Sequence, residues 1–146
     1  MNMHVVEPTA PPPAPAEKKT RLITLTNRAP VKITEDKWPV IAQGSCGETD
    51  DTGLCSWSID VRVRENPYGI CIVHAKYAYY NEIDEASITC RVGHLLHGIP
   101  SVTELWQHIN EVGDELRARI PGEGHRKYVT TALDDCFAAL PAQVLM

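Results

Sequence analysis

Residues with the chemistry to bind a metal occur between the last predicted strand and the first long predicted helix, in the order Cys90-x3-His94-x2-His97. Zinc prefers four thiolate or imidazole ligands with at least one closely spaced pair, and His94 with His97 is such a pair. The candidates for a fourth ligand are Cys46, Cys55 and His74. Because Cys90 falls on the inward face of its predicted strand, where a small thiol packs well, we expect a buried cysteine, two loop histidines and no bound metal.

Nucleophilic catalysis would need a cysteine or serine beside an oriented base. Cys71 and His74 lie an odd number of residues apart on one predicted strand, so their side chains are expected on opposite faces. Neighbouring carboxylates occur at 50–51 and 134–135, and adjacent residues project in different directions, which favours solvated charge. The sequence contains no phosphate-binding glycine loop, HExxH, CxxC or nucleophile elbow. We therefore expect no enzymatic activity, no catalytic residue and no cofactor.

Basic residues alternate along the predicted strands and form the strongest candidate for a binding surface. The set consists of Arg62, Arg64, His74, Lys76 and Arg91. All five are expected to point away from the helices, where they could contact phosphate or an acidic protein partner. A solvated face of mixed charge is the alternative, because Asp60 lies among them. Single-stranded nucleic acid is less favoured, since Tyr77 and Tyr79, which could stack on bases, are predicted on the other face.

The strands that would position these residues are indicated by a period of two in hydrophobicity. Residues 55–64 alternate apolar and polar side chains, and a turn at 65–69 leads into a return strand at 70–80. A second turn at 81–85 precedes a third strand at 87–92. The pattern predicts an antiparallel meander.

The segments before the meander are less regular. β-formers predict strands at 22–26 and 31–33. Asp36 is typical of a helix N-cap and Gly44 of a helix end, so a short helix is expected between them, followed by a polar loop at 44–53.

Two helices are predicted after the meander. Ser101 and Glu104 fit a capping box, and apolar residues then recur at helical spacing until Pro121. A second apolar stripe runs from Tyr128 to Pro141. The predicted fold is α+β, with an antiparallel sheet of about four to five strands, a short helix near the N-terminus and two C-terminal helices packed on one face.

Composition limits the broad class of the protein. Five prolines among residues 1–20 predict a disordered arm before a single α+β domain at 21–146. A net charge of -5 argues against a dedicated nucleic-acid binder. The sequence shows no secretory signal and no segment apolar enough to cross a bilayer, so we expect a cytoplasmic protein without membrane contact. Its five cysteines are then expected as reduced thiols, with a bridge between Cys46 and Cys55 disfavoured.

Several segments together carry a resemblance to a known family. They are 22–33 (LITLTNRAPVKI), 36–42 (DKWPVIA), 61–64 (VRVR), 111–116 (EVGDEL) and 136–141 (CFAALP). With these segments the chain resembles a family of small proteins encoded on bacterial phages, prophages and plasmids. The resemblance implies a mobile-element origin and brings with it no active site.

A compact domain without catalytic groups suits the small inhibitors that mobile elements encode, anti-CRISPR proteins among them. The leading expectation is a non-enzymatic protein that binds and inhibits or remodels a host protein or nucleoprotein complex. The alternative is a nucleic-acid-binding accessory protein that uses the basic sheet face. A small zinc protein or hydrolase is the third possibility.

Overall fold

The computed structural model describes residues 19–141, and most of the expected N-terminal arm lies outside them. The strands are β1 (Thr20–Ile23), β2 (Val31–Thr34), β3 (Val40–Thr49), β4 (Cys55–Glu65), β5 (Cys71–Asn81) and β6 (Ala86–Leu95). The helices that follow are α1 (Val102–Arg119), α2 (Glu123–Arg126) and α3 (Val129–Ala139). Within residues 19–141, no helix is both long and apolar enough to cross a bilayer.

Strands β3 to β6 form one antiparallel sheet in chain order. Val61 lies opposite Ala75, and Ala75 lies opposite Val92, so one row of the sheet is apolar from strand to strand. All three side chains are buried. The predicted meander is confirmed, because the period of two places alternate residues of each strand under the helices.

Helices α1 and α3 cover the inner face of this sheet. The hydroxyl of Ser101 accepts a hydrogen bond from the backbone N–H of Glu104 at 3.1 Å, so α1 begins at the predicted cap. Its buried stripe is Leu105, Ile109, Val112 and Leu116, and that of α3 is Val129, Ala132, Leu133 and Cys136. Each large apolar side chain removed from water in this way stabilises the fold by about 1.5–3 kcal/mol. The α+β class with C-terminal helices is confirmed.

The predicted helix from Asp36 to Gly44 is found only as a short 3₁₀ turn, and the predicted loop at 44–53 begins later, because residues 44–49 belong to β3 and residues 50–54 connect β3 to β4. A single 3₁₀ turn, Glu35–Lys37, is followed by the ten residues of β3. Val40 and Ile41 are β-branched and favour the extended chain. Gly44 does not end a helix; it is buried in β3, facing the backbone of α3.

A hairpin of β1 and β2 packs on the outer face of the sheet, the face turned away from α1 and α3. Its second core consists of Ile23, Leu25, Ile33 and Ile72, with Val31, Trp38 and Leu95 at the margin. The backbone N–H of Thr26 donates to the carbonyl of Gly93 at 2.8 Å and joins the hairpin to β6. A four-stranded sheet and a separate two-stranded sheet therefore replace the single sheet of four to five strands.

Gly44 gives a direct test of the packing between β3 and α3. A β-carbon at this position would collide with the carbonyl oxygen of Ala132 and lie 2.5 Å from the backbone nitrogen of Cys136. Because backbone atoms cannot rotate away, we expect Gly44→Ala to cost at least about 3 kcal/mol, the upper end of overpacking effects. The measurement is urea denaturation. Gly124→Ala is the control, since nothing lies within 4 Å of the added carbon. Equal stability of the two variants would contradict this packing.

Candidate functional site

A basic cleft lies where β1 passes over the outer face of the sheet. Its cavity measures about 120 Å³ and is lined by Arg21, Leu22, Ile23, Thr24, Asp60, Arg62, His74, Ala75, Lys76, Arg91 and Val92. Pockets for drug-sized ligands are larger, about 300–1,000 Å³. The cleft therefore suits a small charged group better than a whole metabolite.

The register of the sheet sets the charges of the cleft. Asp60 lies opposite Lys76, and Lys76 lies opposite Arg91 on the next strand. Like charges placed directly across a strand pair destabilise a sheet, whereas a pair of opposite charges stabilises it by about 0.2–1 kcal/mol. Lys76 and Arg91 are both exposed, and they concentrate positive charge at the mouth of the cleft.

Arg62 and Arg21 bring further positive charge to the cleft from two sides. The Nε of Arg62 lies 2.7 Å from Asp60 Oδ2, and its side chain is 26% exposed. Arg21, from β1, places its Nε 2.7 Å from Glu35 Oε1. Arg21 was not predicted as a site residue, because no local pattern shows that β1 folds back over the sheet.

Arg64 and His74 do not lie on an open surface as the sequence predicted. The hairpin covers them, and Arg64 is only 3% exposed. Its Nε donates to His74 Nε2 at 3.0 Å, and its Nη1 donates to the carbonyl oxygen of Trp38 at 3.0 Å. These two hydrogen bonds connect β4 to β5 and to the segment that follows β2, so Arg64 helps to hold the hairpin on the sheet.

His74 is a neutral member of the cleft wall. Burial lowers its pKa to about 3, and the positive charges of Arg64, Arg62 and Arg21 act in the same direction. The imidazole therefore contributes no positive charge at neutral pH. Of the five predicted binding residues, Arg62, Lys76 and Arg91 are the ones that keep a charged side chain within reach of solvent.

The cluster Cys90, His94 and His97 is not brought together. Cys90 and His94 lie on the same face of β6 four residues apart, which separates them by about 13 Å at the usual rise of a strand. The thiol of Cys90 instead donates to the carbonyl oxygen of Arg119 at 3.4 Å. His97 is exposed in the connection after β6. His94 turns toward α1 and meets a different set of residues there.

The cysteines give no sign of nucleophilic chemistry. All five are free thiols, so Cys46 and Cys55 form no bridge. Burial raises the pKa of Cys71 to about 11 and that of Cys136 to about 12. Cys71 is buried on the inner face, opposite to His74, as the odd spacing predicts. A thiol held protonated in this way is a poor nucleophile.

No family model, no curated protein and no solved structure matches this chain. The resemblance to small mobile-element proteins stays a prediction.

The neutral state of His74 makes a prediction about acid stability. In an unfolded chain a histidine titrates near pH 6.5. As the pH falls below this value, the unfolded state gains a proton that the folded state does not accept until about pH 3. The stability from a neutral His74 is therefore complete above about pH 6.5 and is lost on acidification, by up to about 1.4 kcal/mol per pH unit.

We expect His74→Gln to flatten this acid dependence, because the amide oxygen can still accept from Arg64 but takes up no proton. The measurement is urea denaturation from about pH 7, just above the pKa of an unfolded histidine, to about pH 4, which is still above the pKa of His74 in the folded protein. His97→Gln is the matched control at an exposed position. A slope in His74→Gln equal to that of the unsubstituted protein would contradict the neutral assignment.

Proposed function

We propose that this chain is a non-enzymatic binding protein of a bacterial mobile element that acts in the host cytoplasm. It captures a host protein or nucleoprotein complex through the basic cleft and inhibits or remodels it, as anti-CRISPR proteins do. The observation that carries the proposal is the cross-strand pair of Lys76 and Arg91, with Arg62 beside it.

Uncompensated charge is the reason to give this pair a binding role. Lys76 faces Asp60 on one side and Arg91 on the other, so one carboxylate is shared among several cations. Asp60 is further engaged by the amide of Gln43 at 2.8 Å and by Arg62 at 2.7 Å. A phosphate or carboxylate from a partner would relieve the remaining repulsion. Fixed charge of this kind also steers a partner of opposite sign toward the protein.

The side chains around the cleft support binding over catalysis. The one imidazole in its wall is neutral and accepts a hydrogen bond from Arg64 at Nε2. The thiols with raised pKa, Cys46, Cys71 and Cys136, face the helical side of the sheet or lie within α3. A general base or nucleophile would need to lie within hydrogen-bonding reach of a bound substrate.

Nucleic-acid binding is the second candidate, and one aromatic residue favours it. Tyr80 projects from the outer face of β5 and is 46% exposed. It borders a shallow polar surface that includes Ser56, Ser58, Ala78, Ser87 and Thr89. Tyr80 and Lys76 lie four residues apart on one face of the strand, about 13 Å. A strand whose phosphates enter the cleft could stack one base on this tyrosine.

A triple variant, Arg62→Ser, Lys76→Ser and Arg91→Ser, tests the proposal. We expect it to fold, because the exposed or half-buried side chains lie outside both apolar cores. The unsubstituted protein should capture a defined host complex from a bacterial lysate, identified by mass spectrometry, and the triple variant should lose it. Free DNA and RNA should bind only weakly to either protein at physiological salt.

The control replaces three basic residues on the helical side, Arg117, Arg119 and Lys127, with serine and changes the net charge equally. Capture that survives the cleft substitutions but not the control would place the interface on the helices and overturn the proposal. Tight binding of free nucleic acid, with a salt slope that flattens by about one unit per lost phosphate contact, would select the second candidate. Turnover of a nucleotide or peptide without any captured partner would refute both.

A further inference from the structure

Four side chains able to bind or support a metal gather where β6 meets α1. His94 comes from β6, and His108, Glu111 and Glu115 follow one another along one side of α1. Residues three and four apart on a helix share a face, so this spacing turns all three helical residues toward the strand. The side chains are between 16% and 43% exposed, within reach of solvent.

Three ligand atoms converge in this group. His94 Nδ1 lies 2.8 Å from His108 Nδ1. Glu111 Oε2 lies 3.7 Å from each of these two nitrogens. In a tetrahedral zinc site with bonds of about 2.0–2.1 Å, neighbouring ligand atoms are about 3.3 Å apart. The three separations lie on both sides of that value, so shifts of about half an ångström would complete three corners of the tetrahedron.

The hydrogen bonds of His94 determine which of its two nitrogens can bind a metal. Its Nε2 lies 2.8 Å from Glu115 Oε2. A carboxylate can only accept, so Nε2 carries the proton and donates it to Glu115. When the ring is neutral, Nδ1 then carries a lone pair, which accepts a hydrogen bond from the Nδ1–H of His108 at 2.8 Å. A metal ion bound to both Nδ1 atoms would take the place of this proton, and His108 would carry its proton at Nε2 instead. Histidines that bind metals almost always donate their other ring N–H to a carboxylate, a backbone carbonyl or water, and Glu115 is such a partner.

We propose that His94 Nδ1, His108 Nδ1 and Glu111 Oε2 form a binding site for a divalent ion of the zinc class. Two imidazoles and one carboxylate suit zinc better than magnesium or calcium, which prefer ligand sets made of oxygen. Water fills the fourth position on the solvent side. The site is independent of the basic cleft, which lies on the opposite face of the sheet.

An outer layer of hydrogen bonds holds the ligands in place. Gln107 Nε2 donates to Glu111 Oε1 at 3.1 Å and leaves Oε2 directed at the histidines. The hydroxyl of Thr26 donates to Glu115 Oε1 at 2.7 Å, so Glu115 is itself fixed. Such supporting partners contribute about 10–100-fold to metal affinity. The group is therefore a supported site and more than three polar residues that happen to be near one another.

The experiment uses the full chain without an affinity tag, freed of metal by a chelator and then titrated with zinc alone. We expect one equivalent to bind and the melting temperature to rise by several degrees. Cobalt(II) in place of zinc should give the visible absorption of a tetrahedral site without a thiolate-to-cobalt charge-transfer band, because no cysteine is a ligand.

Variants distinguish this site from other metal-binding residues. His108→Ala and Glu111→Gln change half-exposed positions of α1 and should fold, which circular dichroism checks. Each should weaken zinc binding by more than about 100-fold, beyond the usual effect of an outer partner. Glu115→Gln should weaken it by about 10–100-fold. The controls His97→Ala and Cys90→Ser should bind as tightly as the unsubstituted protein. Three results would each overturn the proposal. They are the absence of saturable zinc binding, a zinc affinity in His108→Ala and Glu111→Gln equal to that of the unsubstituted protein, and a thiolate-to-cobalt charge-transfer band.

Discussion

Helix α3 crosses β3 so closely that its backbone occupies the space in which a β-carbon on Gly44 would lie. A similar approach occurs on the outer face, where a β-carbon on Gly93 would collide with the carbonyl oxygen of Thr24. The sheet is thus covered on both faces at points where it carries no side chain. Dense apolar packing around α3 depends on the first approach, and the position of the hairpin depends on the second.

The hairpin of β1 and β2 covers part of the outer face of the four-stranded sheet, and the side chains under it are buried. Arg64 loses most of its hydration there, and in its place it donates hydrogen bonds to Nε2 of His74 and to the carbonyl oxygen of Trp38. A buried cation is tolerated only when such partners are present. Beyond the margin of the hairpin the same face returns to solvent, and the charges at this boundary form the basic cleft. The cleft is therefore a consequence of partial coverage of the sheet.

Local patterns predicted the meander and α1 because each is determined by nearby residues. The alternation in β4 and the capping box at Ser101 are examples. Strand β3 was missed because Gly44 and Gly47, which resemble loop residues in sequence, are needed for close backbone contacts in space. The cleft cations on β4 to β6 were predicted from the alternation of strand residues between the two faces of the sheet. The burial of Arg64, however, depends on where a distant hairpin packs. The partners of His94 lie 14 and 21 residues away, beyond any spacing rule.

Thr26 affects whether copies of this molecule can pair through the edge of the sheet. Its N–H donates to the carbonyl of Gly93 at 2.8 Å, and its hydroxyl accepts from the N–H of Gly93 at 3.2 Å. Both backbone groups of Gly93 point to the free side of β6, so Thr26 occupies the place that a neighbouring strand would take. Open strand edges invite pairing between molecules and lead to aggregation. Thr26 thus blocks the addition of a foreign strand at Gly93.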